Sequence, residues 1–172
     1  MVTAAVVSLL FICSWPQRFL FLRQYLPQEI STKWFMSFAS LNTATNIQLA
    51  KYYNDLAEIE VKQGKLNEAL AEFNKAIDVK TTSEVPFYNR GCLYIKLGNF
   101  DLAIKDLLKV IKMSPKFAPA YNDLGFIYAH QNQLNQAIAL FTKALKIDPK
   151  YTAAYYNREM IYNHLKSSAH LR

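Results

Sequence analysis

The stretch APAYNDLGFIYAHQNQLNQAIALFTKALKIDPKY, residues 118–151, decides the fold, because the residues before it repeat its pattern at an offset of 34. Sliding the chain by that offset aligns Gly91 with Gly125 and Gly64 with Gly98, which accounts for all four glycines. It also aligns Ala69, Ala103 and Ala137, then Phe73, Leu107 and Phe141, then Ala76, Val110 and Ala144, and Pro115 with Pro149. Tyr53, Phe87, Tyr121 and Tyr155 make a further aromatic column. Small and large residues recurring in step at this period indicate a stack of like units, each burying its apolar face on its neighbours.

Each unit reads as two amphipathic helices. In residues 84–117 the apolar side chains Phe87, Leu93, Tyr94 and Leu97 fall at helical spacing, Gly98 and Asn99 make a turn, and Phe100, Ala103, Ile104, Leu107, Leu108 and Ile111 resume the period. Small residues at Gly91, Ala103 and Val110 let the paired helices approach, and Phe87, Tyr94, Phe100 and Leu107 fill the space around them. Pro115 ends the second helix, since proline lacks the amide hydrogen and clashes with the preceding turn.

Composition narrows the function classes. The 172 residues allow one domain plus a short appendage. With 52% hydrophobic residues the chain can bury a core, and the net charge of +7 draws it to anionic surfaces without naming one. Cys13 and Cys92 stand in no metal-type or CxxC spacing, which predicts two free thiols. His130, His164 and His170 form no HExxH, and there is no P-loop, dinucleotide-binding glycine run or GxSxG. The sequence therefore predicts neither an enzyme nor a cofactor nor a metal site.

These columns resemble the tetratricopeptide repeat (TPR) family, with units at 50–83, 84–117 and 118–151 and a partial capping helix at 152–166, inside a domain of residues 47–166. The third unit carries Tyr121, Leu124, Gly125, Tyr128, Ala137, Phe141, Ala144 and Pro149 in the family's places. The first departs, with Glu60, Ala57 and Thr81 where the pattern has an aromatic, glycine and proline. The resemblance implies an all-α solenoid of three helix-turn-helix repeats whose first helices line a concave groove for a protein or peptide. The groove columns are then Lys62, Lys96, His130 and His164; Asn54, Tyr88, Asn122 and Tyr156; Asp55, Asn89, Asp123 and Asn157; and Glu58, Cys92, Phe126 and Met160. The last turns from acidic to apolar, so a partner would set a polar end near the first unit and an apolar end later. A variant of the family grips a chaperone's C-terminal carboxylate with lysine, asparagine and arginine at set places. Here those places hold Asn54, Glu58, Asn89, Pro119 and Asp123, of which only Asn89 matches, and this argues against a chaperone tail.

On the second helices, Lys75, Lys109 and Lys143 recur, with Lys112, Lys146, Lys116 and Lys150 nearby. Positions near helix C-termini give them a structural cause, and no RNA-module pattern accompanies them, so nucleic acid is not the expected partner. In the C-terminal helix, Tyr155, Ile161, Tyr162 and Leu165 are expected to face inward and Arg158, Glu159, Asn163 and Lys166 outward, with a frayed tail at 167–172.

Residues 1–27 form a hydrophobic N-terminal segment outside the repeat, and 28–46, rich in Ser, Thr and Asn, read as a linker. As one helix, residues 2–22 reach ~31 Å, enough for a ~30 Å hydrocarbon layer. A membrane anchor, a helix lying on a membrane surface and a helix capping the first repeat are the three readings. If the segment spans, Arg18 and Arg23 place the repeats on the cytosolic or stromal side. The chain then reads as a membrane-held, non-enzymatic scaffold assisting the assembly of a partner complex. Its layout and its Lys-, Asn-, Ile- and Tyr-rich composition resemble plastid and cyanobacterial TPR factors of photosystem I assembly, which implies a photosystem subunit as partner at the thylakoid. The alternative is a soluble TPR adaptor or an RNA-associated regulatory protein.

Overall fold

The structure, a computed structural model, describes residues 28–79 and 82–170, with side chains over 44–79 and 82–167. The hydrophobic segment at 1–27 therefore lies outside the described residues. The chain divides into a unit of residues 1–45 and a unit of residues 46–172. Among the described residues there are seven helices and no strand: α1 (Gln28–Lys62), α2 (Leu66–Asp78), α3 (Val85–Lys96), α4 (Phe100–Met113), α5 (Ala118–His130), α6 (Leu134–Ile147) and α7 (Thr152–His170). No helix among them is long and apolar enough to cross a membrane.

Two boundaries differ from expectation. Residues 28–46, read as a linker, are helical within α1. Polar composition suggested a linker, yet no glycine or proline interrupts the chain between Pro27 and Gly64, so nothing there breaks a helix. The last helix likewise runs past residue 166 to His170.

In the second unit α1/α2, α3/α4 and α5/α6 form three hairpins, and α7 follows as a single helix. The turns explain the first glycine column. Gly64 and Gly98 adopt φ of 78° and 75°, and Asn132, which stands at the same place in the third hairpin, adopts 59°. This left-handed residue lets the next amide reach back to the helix, as Lys65 N–H does to Glu60, Asn99 N–H to Tyr94 and Gln133 N–H to Tyr128. Asparagine tolerates that conformation better than other residues with a side chain, so the third unit closes its turn without glycine.

The core follows the repeat columns. Ala57, Ala69, Phe73 and Leu93 form one buried cluster. Ala103, Leu107 and Val110 of α4 meet Ala120, Leu124 and Ile127 of α5 in a second, flanked by Phe87, Tyr94 and Phe100. Ala118, Ala137, Phe141, Ala144, Ala154 and Ile161 form the third. Each second helix thus packs on its own first helix and on the next, which is how stacked hairpins share one continuous core.

The orientation of α7 corrects the expected one. It buries Ala154 and Ile161, while Tyr155, Tyr162 and Leu165, expected inward, are exposed at 56%, 39% and 39%. Arg158, expected outward, is half-buried and donates from Nη1 to Thr142 Oγ1 at 3.5 Å, with its Nε left without a partner. In the earlier hairpins a second helix covers the aromatic column, and among the described residues nothing follows α7 to cover Tyr155.

Candidate partner-binding face

The first helices stand side by side, and polar side chains join them at an offset of 35 residues. Asn89 Nδ2 donates to Asn54 Oδ1 at 2.9 Å, tying α3 to α1, and Asn157 Nδ2 donates to Asn122 Oδ1 at 3.0 Å, tying α7 to α5. At the equivalent place between α3 and α5, the Tyr88 phenol and the Asp123 carboxyl stand close enough to perturb one another's protonation. Glu58 Oε1 reinforces the first seam by accepting from Asn54 Nδ2 at 2.9 Å and from Asn89 Nδ2 at 2.8 Å.

Two of the columns expected to meet a partner are therefore engaged with each other. Asn54 and Asn122 are 5% and 6% exposed, and their amides are used within the chain. A buried amide with partners on both sides is expensive to open, so these residues set the spacing between hairpins. The signal was present in the sequence as complementary pairs one residue beyond the repeat length.

The middle seam differs chemically. Asp123 also accepts from Cys92 Sγ at 3.7 Å and from Asn122 Nδ2 at 3.1 Å, and Tyr88 stacks edge-on against Phe117 at 4.9 Å. Burial raises the Asp123 carboxyl above its ordinary value, opposed by the neighbouring Tyr88 phenol and by the hydrogen bonds from Asn122 and Cys92. Burial likewise pushes the Cys92 thiol to about 12, aided by the Asp123 charge, and raises the Tyr88 phenol. A thiol held protonated is a poor nucleophile, so Cys92 is a packed donor here.

A carboxyl whose folded pKa lies above its unfolded value favours the fold most at low pH. Stability is lost as pH rises from the unfolded value near 3.8 through the raised folded one. Asp123→Asn keeps an acceptor for the Asn122 amide and removes the charge. Relative to wild type, its stability should rise with pH from about 4 upward, read from urea midpoints of both chains. Parallel curves would show that burial of this charge has no bearing on folding.

What remains open on this face is the outer pair of columns. Lys62, Lys96, His130 and His164 are all exposed, as are Asp55, Glu58, Tyr156, Phe126 and Met160, the last two at 38% and 55%. At the early end, Glu58, Val61, Lys62, Phe73, Asn89, Cys92, Leu93 and Lys96 line a recess of about 270 Å³. At the late end the His130 ring lies 4.6 Å from Phe126 and 5.6 Å from Phe100, which makes an aromatic cluster. Among the described residues no group of three or more His, Cys, Asp or Glu is placed to hold a metal ion.

The sequence reading missed Arg90. Its Nε and Nη2 donate to Asp106 Oδ2 and Oδ1, both at 2.7 Å, and its Nη1 donates to Asn74 Oδ1 at 2.5 Å, so one guanidinium fastens α3 to α4 and α2. Its column reads Leu56, Arg90, Leu124 and Arg158, and this alternation of leucine with arginine was the signal that could have found it.

Comparison with known proteins gives the same fold. The Tetratricopeptide repeat family model matches residues 86–117 and 118–151, and the TPR repeat model matches 57–98. The Arabidopsis OM64 TPR domain is similar at 21% identity with a TM-score of 0.66, over 69% of this chain and 98% of that one. The first TPR of Spaghetti (RPAP3), bound to the HSP90 peptide SRMEEVD, is similar at 23% identity and 0.66, over 70% and 95%. The first TPR domain of human RPAP3 is similar at 23% and 0.65, over 71% and 96%. No curated protein matches this chain. The hairpins, their shared columns and the family models agree over residues 57–151, and the chain belongs to the tetratricopeptide repeat family.

Proposed function

We propose that this chain is a protein-interaction scaffold that holds a segment of a partner protein along the first-helix face. The partner sets a polar end in the recess beside Lys62 and Lys96 and apolar side chains against Phe126, Tyr156 and Met160. The observation that carries this reading is the division of the face. The amides that could have served a ligand are engaged in the seams, while large apolar side chains that could be buried stay exposed at one end. Aromatic and Met anchors beside a polar rim are the usual composition of an interface core.

The first TPR of Spaghetti (RPAP3) is solved with the HSP90 peptide SRMEEVD and the second TPR domain of human RPAP3 with the HSP70 peptide SGPTIEEVD, both acidic. A tail of that kind suits this face poorly. Glu58 and Asp123 put carboxylates on it, and Asn89, which matches the carboxylate-gripping pattern, is already bonded to Asn54 and Glu58. A membrane anchor at residues 2–22 and a role in assembling a complex such as photosystem I complete the reading. Both rest on the sequence, through its apolar leader and its layout.

The test is co-purification of partners from detergent-solubilised membranes, comparing the intact chain with Phe126→Ser/Tyr156→Ala/Met160→Ala. These side chains are exposed, so the fold should survive, and partner recovery should fall by about tenfold or more. Unchanged recovery would mean that a partner binds elsewhere. Chain found in the soluble fraction at low salt would remove the anchor from the reading.

A further inference from the structure

We infer that the outer face of α4 and α6, on the side away from the buried columns, is an electrostatic seat for an anionic phospholipid surface. On α4 the buried stripe is Ala103, Asp106, Leu107 and Val110, and on α6 it is Ala137, Phe141 and Ala144. At 3.6 residues per turn, Lys105 and Lys112 fall on the opposite side of α4 and Lys146 on that of α6, while Lys109, whose ammonium stands 5.8 Å from the Phe87 ring centre, and Lys143 lie on the adjoining flank. All five are exposed.

The acids that would neutralise them are displaced column by column. In α2 the lysine of this column, Lys75, is paired with Glu72 at 2.5 Å. The place of Glu72 is taken in α4 by Asp106, which is turned inward onto Arg90, and in α6 by Leu140. The sequence of α6 contains no acid at all, and α4 has one other, Asp101, in its first turn. This face therefore carries five lysines against one acid, Asp101, four residues before Lys105, whereas in the first hairpin Lys75 is paired with its own acid.

Charge sign alone would suit RNA or an acidic protein as well, and the rest of the face favours lipid. Its apolar contribution is aliphatic, with Leu102 and Leu108 exposed at 41% and 53% among the lysines. No exposed aromatic lies on α4 or α6, so bases would find no stacking platform. Arg90 and Arg158, the two described arginines, are drawn onto Asp106 and Thr142 and leave lysine as the face's cation. Dispersed lysines and leucines without a pocket give a protein partner no anchor site, but they match a fluid layer of phosphate headgroups over acyl chains. The inference stands apart from residues 2–22, since it needs only a difference between anionic and neutral lipid.

The experiment is vesicle co-sedimentation of the full chain with phosphatidylcholine alone and with phosphatidylcholine containing phosphatidylserine. Wild type should prefer the anionic vesicles by at least about tenfold at low salt, and lose the preference as salt shortens the screening length. Lys109→Gln/Lys112→Gln/Lys143→Gln should bind both vesicles alike, since each lysine near such a surface contributes roughly fivefold. Lys51→Gln/Lys65→Gln/Lys166→Gln, an equal charge loss on other exposed lysines, should keep the preference. Equal loss in both variants would reduce the effect to net charge and overturn the assignment of the face. A preference kept by the first variant would overturn it too, and so would a single-stranded RNA oligonucleotide that binds wild type, loses the first variant and displaces the vesicles.

Discussion

Alanine at Gly125 is expected to destabilise the chain by about 1–2 kcal/mol, while alanine at Gly91, one repeat earlier, should be neutral or stabilise it by up to about 1 kcal/mol. The two glycines share a column but not an environment. A Cβ at Gly125 would stand 2.7, 2.9 and 3.0 Å from Cε1, Cδ1 and Cζ of Phe141. That ring is 1% exposed and has nowhere to swing, so overpacking outweighs the gain in helix propensity. At Gly91 the nearest atoms, Asp106 Cβ and two carbons of Leu107, lie at 3.5 Å, an ordinary contact, and propensity decides the sign. Leucine at Gly91 is another matter, because its outer carbons must enter the space of Leu107, and a loss of about 1–3 kcal/mol is expected. Urea unfolding of the single variants, with Phe141→Leu added to Gly125→Ala as the relief test, measures these differences. Equal effects of alanine at both glycines would show that the second-helix aromatic does not set the tolerance.

Asp106→Leu should cost about 2–4 kcal/mol, and Arg90→Leu a similar amount, because each leaves the other charge without its partner in a largely buried place. The side chains of Arg90 and Asp106 are 19% and 8% exposed. The partial exposure of Arg90 and its bond to Asn74 hold the estimate below the full penalty of a sealed pair. Arg90→Leu with Asp106→Leu should return to within about 1 kcal/mol of wild type. The reason is on the chain itself, since the third unit fills the same two places with Leu124 and Leu140, which pack against one core cluster. Thermal or urea unfolding of the four chains in a double-mutant cycle reads the coupling directly. If the double variant is no better than the singles, the ion pair fixes more than its own helices.

The repeat period made the hairpins, their turns and their core columns legible, since steric needs recur wherever the same contact recurs. Gly64, Gly98, Ala103 and Phe141 each do what their column implies. The face was harder to read for a physical reason. Contacts within a hairpin, such as Arg90 with Asp106 at 16 residues, recur from unit to unit in the same columns, but those that cross between first helices join residues 35 apart, so an alignment at 34 separates Asn54 from its partner Asn89. The error in α7 has another source. Amphipathic spacing locates an apolar stripe but not whether a neighbour exists to cover it, and Tyr155 and Tyr162 satisfy the pattern while facing solvent. In residues 28–46 polar composition masked the absence of any helix breaker.

The three seams also make the order of the hairpins matter. Amide bonds amide at the first and third joints, and a phenol faces an acid at the second. Each hairpin therefore carries a lock on one flank and a different key on the other. Swapping the second and third would bring Asn54 up against Asp123 and leave Tyr88 facing Asn157. The modules of this array resemble one another in outline, yet they are not spare parts for one another.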